Sequence, residues 1–186
     1  MINRTKILAF AACAALSAAL LTGCGSSASS APSSVSTAAA SLPASSTTAE
    51  AENGTDALDG IFNTLLDANP ISNQFEIAAM NIQYDFNLPA EDVVSYKGVK
   101  SNDNGDAGLV LVIETADGKA EDVISALESY KQDQVAFYGN YAEFAQAQTN
   151  VDNAIISGKD NRVVMVIASN ECTADLSGVV DSALNS

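Results

Sequence analysis

Between Gly25 and Asn53 the chain reads GSSASSAPSSVSTAAASLPASSTTAEAEN, a run of Ser, Ala and Thr with two prolines and almost no large side chain. Such a composition cannot bury enough apolar surface to offset the entropy of ordering it. It therefore predicts a disordered tether and confines folding to the residues that follow. Flexible-chain scaling gives the tether a root-mean-square span of roughly 30 Å, and full extension takes it to about 100 Å. The remaining chain, about Gly54 to Ser186, has the length of a single domain. At that size roughly two-thirds of the unfolded surface can be buried in one core.

The tether is preceded by MINRTKILAFAACAALSAALLTGC, in which Arg4 and Lys6 form a basic start and an apolar run extends from Ile7 to Leu21. The run has the length of a signal-peptide core and is short for a membrane span. Its end, Leu21-Thr22-Gly23-Cys24, resembles a bacterial lipobox: an aliphatic residue, two small residues, then cysteine. That resemblance implies a diacylglyceryl thioether on Cys24, palmitate-type acyl chains, and cleavage after Gly23. Two or more acyl chains make anchoring durable where one is marginal, since each buried methylene contributes about 0.8 kcal/mol. The expected organisation is a signal peptide over 1–23, a lipidated cysteine and tether over 24–53, and a domain over 54–186. The protein is then held by the lipid on Cys24 at the extracytoplasmic face of the cell membrane.

Cysteine usage agrees. Cys13 leaves with the signal and Cys24 carries lipid, so Cys172 has no partner in its own chain and no disulfide framework is expected. Charge narrows the partners. Removing residues 1–23 takes Arg4 and Lys6 but no acid, so eight basic residues against 23 acidic become six, and −15 becomes −17. Such a surface repels nucleic acid and anionic lipid. Cations, neutral wall glycans and basic protein surfaces of the envelope fit it better.

Periodicity then lays out the domain. Leu58, Ile61, Phe62, Leu65 and Leu66 make one helical stripe that Thr55 can cap and Pro70 ends. QFEIAAMNIQYDF is ambiguous, because Met80, Ile82, Tyr84 and Phe86 alternate like a strand whereas Phe75 to Met80 suits a helix. A strand from Val93 to Lys100, the turn Asn104-Gly105, and the near-continuous apolar strand Leu109 to Thr115 follow. Asp117 can cap a long helix from Gly118 to Tyr138, with Ala120, Val123, Ile124, Leu127 and Tyr130 inward. The aromatic stretch FYGNYAEF turns the chain into a second hairpin around Gly158-Lys159-Asp160-Asn161. A last helix carries Leu176, Val179, Val180, Ala183 and Leu184. The expectation is an α+β domain, with a small antiparallel sheet built from two hairpins and helices packed on one face.

The stretches YDFNLPAEDVVSYKGV, GLVLVIETADGKAEDVISALESYKQDQVAFYGNY and NRVVMVIASN, behind a lipobox and tether, resemble bacterial lipoproteins carrying domain-of-unknown-function family 4358. The resemblance covers nearly all of the folded part. It implies no established activity and no catalytic residues.

The residues themselves offer little reaction chemistry. With no histidine, Ser-His-Asp and Cys-His catalysis and His-based zinc sites are excluded, and Cys172 alone builds no thiolate site. Placed before a helix start, Cys172 could have a lowered thiol pKa, but a buried apolar role is expected of it. No catalytic residue, metal ligand or cofactor is assigned. Glu91-Asp92 and Glu121-Asp122 read as solvated first-turn residues. NDNGDAG fails the register of a calcium loop and reads as a polar turn. Among the aromatics Phe137, Tyr138, Tyr141 and Phe144, which suit core sealing or sugar stacking, Tyr138 and Tyr141 are the candidate ligand contacts. The functional expectation is a surface-anchored, non-enzymatic binding or interaction domain. A wall-acting hydrolase using paired carboxylates is the alternative.

Overall fold

A computed structural model describes residues 52–53 and 56–186. Cys24, the signal and almost all of the tether lie outside the described residues, as does the expected cap Thr55. The elements run β1 (Glu52–Asn53), α1 (Asp56–Ala68), β2 (Gln74–Glu76), α2 (Ala79–Tyr84), β3 (Val93–Ser101), β4 (Leu109–Thr115), α3 (Ala120–Tyr138), α4 (Ala145–Asp152), β5 (Ile155–Lys159), β6 (Arg162–Ile167) and α5 (Leu176–Leu184). Short 3-10 turns at Ala90–Asp92 and Ala142–Phe144 introduce β3 and α4.

The strands form one sheet in the order β1-β3-β4-β6-β5, with β2 also on β3. The hairpins β3–β4 and β5–β6 are antiparallel and join through an antiparallel β4–β6 pair. The two shortest strands share the outer edge of β3: β1 runs parallel opposite Ser95 and Tyr96, and β2 antiparallel opposite Val99 to Ser101. The domain is α+β, as its periodicity predicts.

The helices, however, cover both faces of the sheet rather than one. Leu109, Leu111 and Ile113 of β4, with Val163, Met165 and Ile167 of β6, pack against Ile82, Val123, Leu127 and Val151 from α2, α3 and α4. The intervening Val110, Val112, Val164 and Val166 pack against Leu58, Ile61, Phe62 and Leu65 of α1 and Val180 and Leu184 of α5. Strands buried on both faces lose the apolar/polar alternation, which is why LVLVIET is so nearly continuous.

The ambiguous segment resolves into β2 and α2. Ile82 and Phe86 are buried while Met80 and Tyr84 are 69% and 72% exposed. Each pair is spaced i, i+4, so what looks like strand alternation is two opposite faces of one helical path. The Asn81 side chain holds the start of α2 by accepting from the Ala78 N–H at 2.9 Å.

At α3 the expected cap is displaced. The N-cap residue is Lys119, with no side-chain cap bond. Gly118 sits at φ 76°, and the Lys119 N–H bonds back to the Ala116 carbonyl at 3.0 Å. This left-handed turn, easy for glycine, moves the helix start past the reach of Asp117. Asp92 also departs from expectation. It is buried, and Lys119 lies 3.0 Å from its carboxylate, whereas Glu91, Glu121 and Asp122 are exposed. In the second hairpin Gly158 and Lys159 belong to β5, and the turn is made by Asp160, at φ 55°, with Asn161.

Two polar connections fasten the end of the sheet where β6 leaves it and the β3–β4 turn lies. Asn69 is fully buried, and its amide donates to the Ile167 carbonyl at 2.9 Å. The Gln146 amide donates to Asn150, Asn150 to Asn170, and Asn170 to the Gly105 carbonyl, which fastens α4 to the β3–β4 turn.

Candidate functional site

Where α3 passes the turn end of the β3–β4 hairpin the packing leaves a cleft of about 310 Å3. Tyr130, Asp133, Gln134 and Tyr138 form one wall, Lys100, Asp106 and Gly108 the other, and Asp85 just after α2 closes one end. The helical wall follows from spacing. Tyr130, Gln134 and Tyr138 stand at i, i+4 and i+8, one stripe along the helix. Opposite them the hairpin turn is shaped by Gly105, at φ 82°, where the Asn104-Gly105 signal places a turn.

Several groups here are already engaged. Lys100 reaches Asp85 at 3.1 Å and lies over the Phe75 ring, 5.3 Å from its centre. Asp85 also accepts from the Asn81 amide at 3.0 Å. One oxygen of Asp106 accepts from the N–H groups of Gly108 and Asn170, at 3.0 and 3.1 Å, and so ties its loop to the chain after β6. By contrast, Asp133, Gln134 and the hydroxyls of Tyr130 and Tyr138 have no hydrogen-bond partner among the described residues.

The phenols are set by their surroundings. Phe86 packs on Tyr130 with ring centres 4.5 Å apart. Burial, with the nearby Tyr138 and Asp85, raises the Tyr130 pKa well above the ordinary phenol value. Tyr138 is raised in the same direction, by burial first and then by the charge of Asp106. Both hydroxyls therefore keep their protons at neutral pH. Tyr130 thus lies within electrostatic reach of Asp85 and Tyr138, and Tyr138 of Asp106.

Of the two tyrosines proposed from sequence, only Tyr138 lines this cleft. Tyr141 is 45% exposed and sits beside it, its ring 6.0 Å from Phe137 and 5.4 Å from Phe144. Tyr138 touches the same two phenylalanines, at 5.1 and 5.9 Å. Phe144 also lies against Gly105, where a Cβ would meet its ring at 3.0 Å. The aromatic stretch seals α3 against the hairpin turn, and it continues Tyr138 outward as an exposed surface.

A family model described as Domain of unknown function (DUF4358) matches residues 68–168, more than half of the chain. The chain belongs to this family. Searches of curated proteins and of solved structures returned no match. Every residue that lines the cleft falls inside the DUF4358 segment, whereas most of α1 and all of α5 lie outside it.

Cys172 is half-buried against the α1–α5 core, and its thiol lies 3.5 Å from the Ala68 carbonyl. A second hollow of about 310 Å3 lies between α1 and β3. Its Lys97 is held by Asp59 and sits 5.0 Å from the centre of the Phe62 ring. In the DUF4358 cleft, by contrast, the side chains of Asp133 and Gln134 and both phenols have no hydrogen-bond partner among the described residues. Among the described residues no helix is long and apolar enough to cross a membrane.

Proposed function

We propose that this DUF4358 protein is a lipid-anchored envelope protein whose domain is a non-enzymatic binding module, with the cleft beside Tyr138 as its binding surface. The anchor is carried by Leu21-Thr22-Gly23-Cys24 behind an apolar run, followed by a chain too poor in apolar residues to fold. The binding reading is carried by the division of labour in the cleft. Asp85 and Asp106 spend oxygens on Lys100, Asn81 and two backbone N–H groups, while both phenols, Asp133 and Gln134 remain open. Carboxylates committed to holding a loop favour recognition over the paired acid and base that a hydrolase needs.

Two measurements test this. Mass analysis of the protein from native membranes is expected to give a diacylated chain beginning at Cys24, and Cys24→Ala is expected to release it from the membrane fraction. An unmodified chain starting elsewhere would remove the anchor. Incubation of the purified protein with cell-wall material is expected to leave that material intact, and release of soluble fragments would replace the binding reading with the hydrolase.

A further inference from the structure

Acidity alone would not distinguish the cleft from the rest of a chain with net charge −15. What distinguishes it is that a half-open cleft of about 310 Å3 has two half-buried tyrosines on one wall, neither hydroxyl bonded to a described residue. That volume sits at the small end of ligand cavities, which run from about 300 Å3 upward. It suits a compact organic molecule.

The charge inside selects among compact molecules. Asp85, Asp106 and Asp133 contribute three negative charges and Lys100 one positive, so the walls carry a net −2. Lys100 is already drawn onto Asp85 and the face of Phe75, which directs the surplus to Asp133 and to the Asp106 oxygen that takes no backbone N–H. Tyr138 lies within electrostatic reach of Asp106, and Gln134 follows Asp133 on α3. Carboxylates accept hydrogen bonds and cannot donate them, phenol and amide oxygens also accept, and aromatic faces attract cations. An anionic guest would meet repulsion, and a neutral one would leave the surplus charge unanswered in a partly desolvated site. An ammonium group answers the surplus carboxylate charge and donates to the carboxylate, phenol and amide oxygens of these walls.

We infer that the cleft binds a small organic ammonium compound, with its charged nitrogen held between Asp106 and Asp133 against the Tyr138 ring and hydroxyl. This inference rests on the cleft being the binding surface of the domain and gives that surface its ligand class. No bond is made or broken in the ligand. Tyr130, packed on Phe86, forms the floor and stays protonated because it is buried.

Calorimetric titration of the full chain with putrescine, and with 1,4-butanediol as its uncharged counterpart, tests this. Putrescine is expected to bind and the diol not to. Asp133→Asn and Tyr138→Phe are expected to weaken putrescine roughly tenfold each, as loss of a hydrogen bond to a charged group does. Tyr138→Phe keeps the ring that packs on Phe137 and Phe144, and Asp133 is exposed, so both variants should fold. Asp181→Asn, on α5 across the sheet, is expected to leave binding unchanged. Equal weakening by Asp181→Asn would overturn the inference, because attraction to a diffuse acidic surface would then account for the binding. Tyr138-dependent binding of N-acetylglucosamine without binding of putrescine would overturn the ammonium ligand and leave the cleft as a binding surface. Binding of none of the three compounds would overturn both.

Discussion

Asn69 and Ser169, a hundred residues apart, hold each other in the core: the Ser169 N–H donates to the Asn69 side-chain oxygen at 2.8 Å. The same amide donates to the Ile167 carbonyl, and the Ser169 hydroxyl donates to the Pro70 carbonyl at 2.6 Å. One fully buried polar side chain at the end of α1 thus completes the hydrogen bonding where β6 leaves the sheet. Asn69→Ala strands a buried donor and a buried acceptor, each of which costs about 1–3 kcal/mol. The expected loss, on the order of 3 kcal/mol, is read from the urea midpoint, and an unchanged midpoint would show that water replaces the amide.

Two glycines give opposite expectations. A Cβ at Gly98, in β3, would lie 2.8 Å from the Ile77 side chain, 2.9 Å from Leu111 and 3.1 Å from the Val110 carbonyl oxygen. The carbonyl belongs to a central strand and cannot retreat, so Gly98→Ala should destabilise by about 1–3 kcal/mol, as overpacking does. Gly60, on the exposed face of α1, has nothing within 4 Å of its Cβ position. Gly60→Ala should stabilise by about 0.5–1 kcal/mol through helix propensity. Thermal melts of the two variants should therefore move in opposite directions, and a shared direction would refute the local packing at Gly98.

The buried phenols predict alkaline sensitivity. Tyr130 and Tyr138 hold their protons more tightly in the folded state, chiefly because burial disfavours the phenolate. Their contribution is complete below the unfolded phenol value of about 10 and is lost as pH rises from there toward the higher folded values. Stability should fall above about pH 10, by up to about 1.4 kcal/mol per pH unit for the more deeply buried Tyr130 and by less for Tyr138, whose half-exposed ring leaves it screened by solvent. Lys119, raised first by its bond to Asp122 and then by Asp92, acts in the same sense. Tyr130→Phe should make the decline shallower. Parallel declines in variant and parent, followed by urea unfolding across that range, would put the alkaline loss elsewhere.

Asp175 caps α5, accepting from the Ser177 N–H at 3.2 Å. Replacing an aspartate cap by alanine costs about 1 kcal/mol. Since Leu176, Val180 and Leu184 of that helix cover the valine face of the sheet, Asp175→Ala should lower global stability by about that amount rather than fray one turn. Amide exchange separates the cases: faster exchange confined to α5 would mean that the helix opens by itself.

The parts of this fold that were legible in sequence are those whose burial repeats with a period. The stripe Leu58, Ile61, Phe62, Leu65 gives α1, and the run Leu109 to Thr115 gives the central strand. α4 stayed hidden because AQAQTNVD buries only Ala147, Asn150 and Val151, too few apolar groups to set a phase. Helices on both faces were hidden for another reason. A continuous apolar strand states that it is buried without stating what covers each side. The cleft was legible only along α3, where Tyr130, Gln134 and Tyr138 share a face. Asp85, Lys100 and Asp106 reach it from other segments, and no spacing in the chain announces that they meet.

A sheet with one wet face polices its own alignment, because a slip of one residue would turn its apolar side chains into water. β4 and β6 lack that safeguard, since a slip would merely exchange one dry layer for another. Their alignment is recorded instead in size and in single contacts. Leu109, Leu111, Ile113, Val163, Met165 and Ile167 face α2, α3 and α4, while the buried apolar residues on the opposite side of the two strands are all valine. A slipped pairing would force the bulkier set into the space cut for the smaller one and break the Asn69 bridge to Ile167. In this domain the strands find their partners by shape and by one amide, with water given no vote.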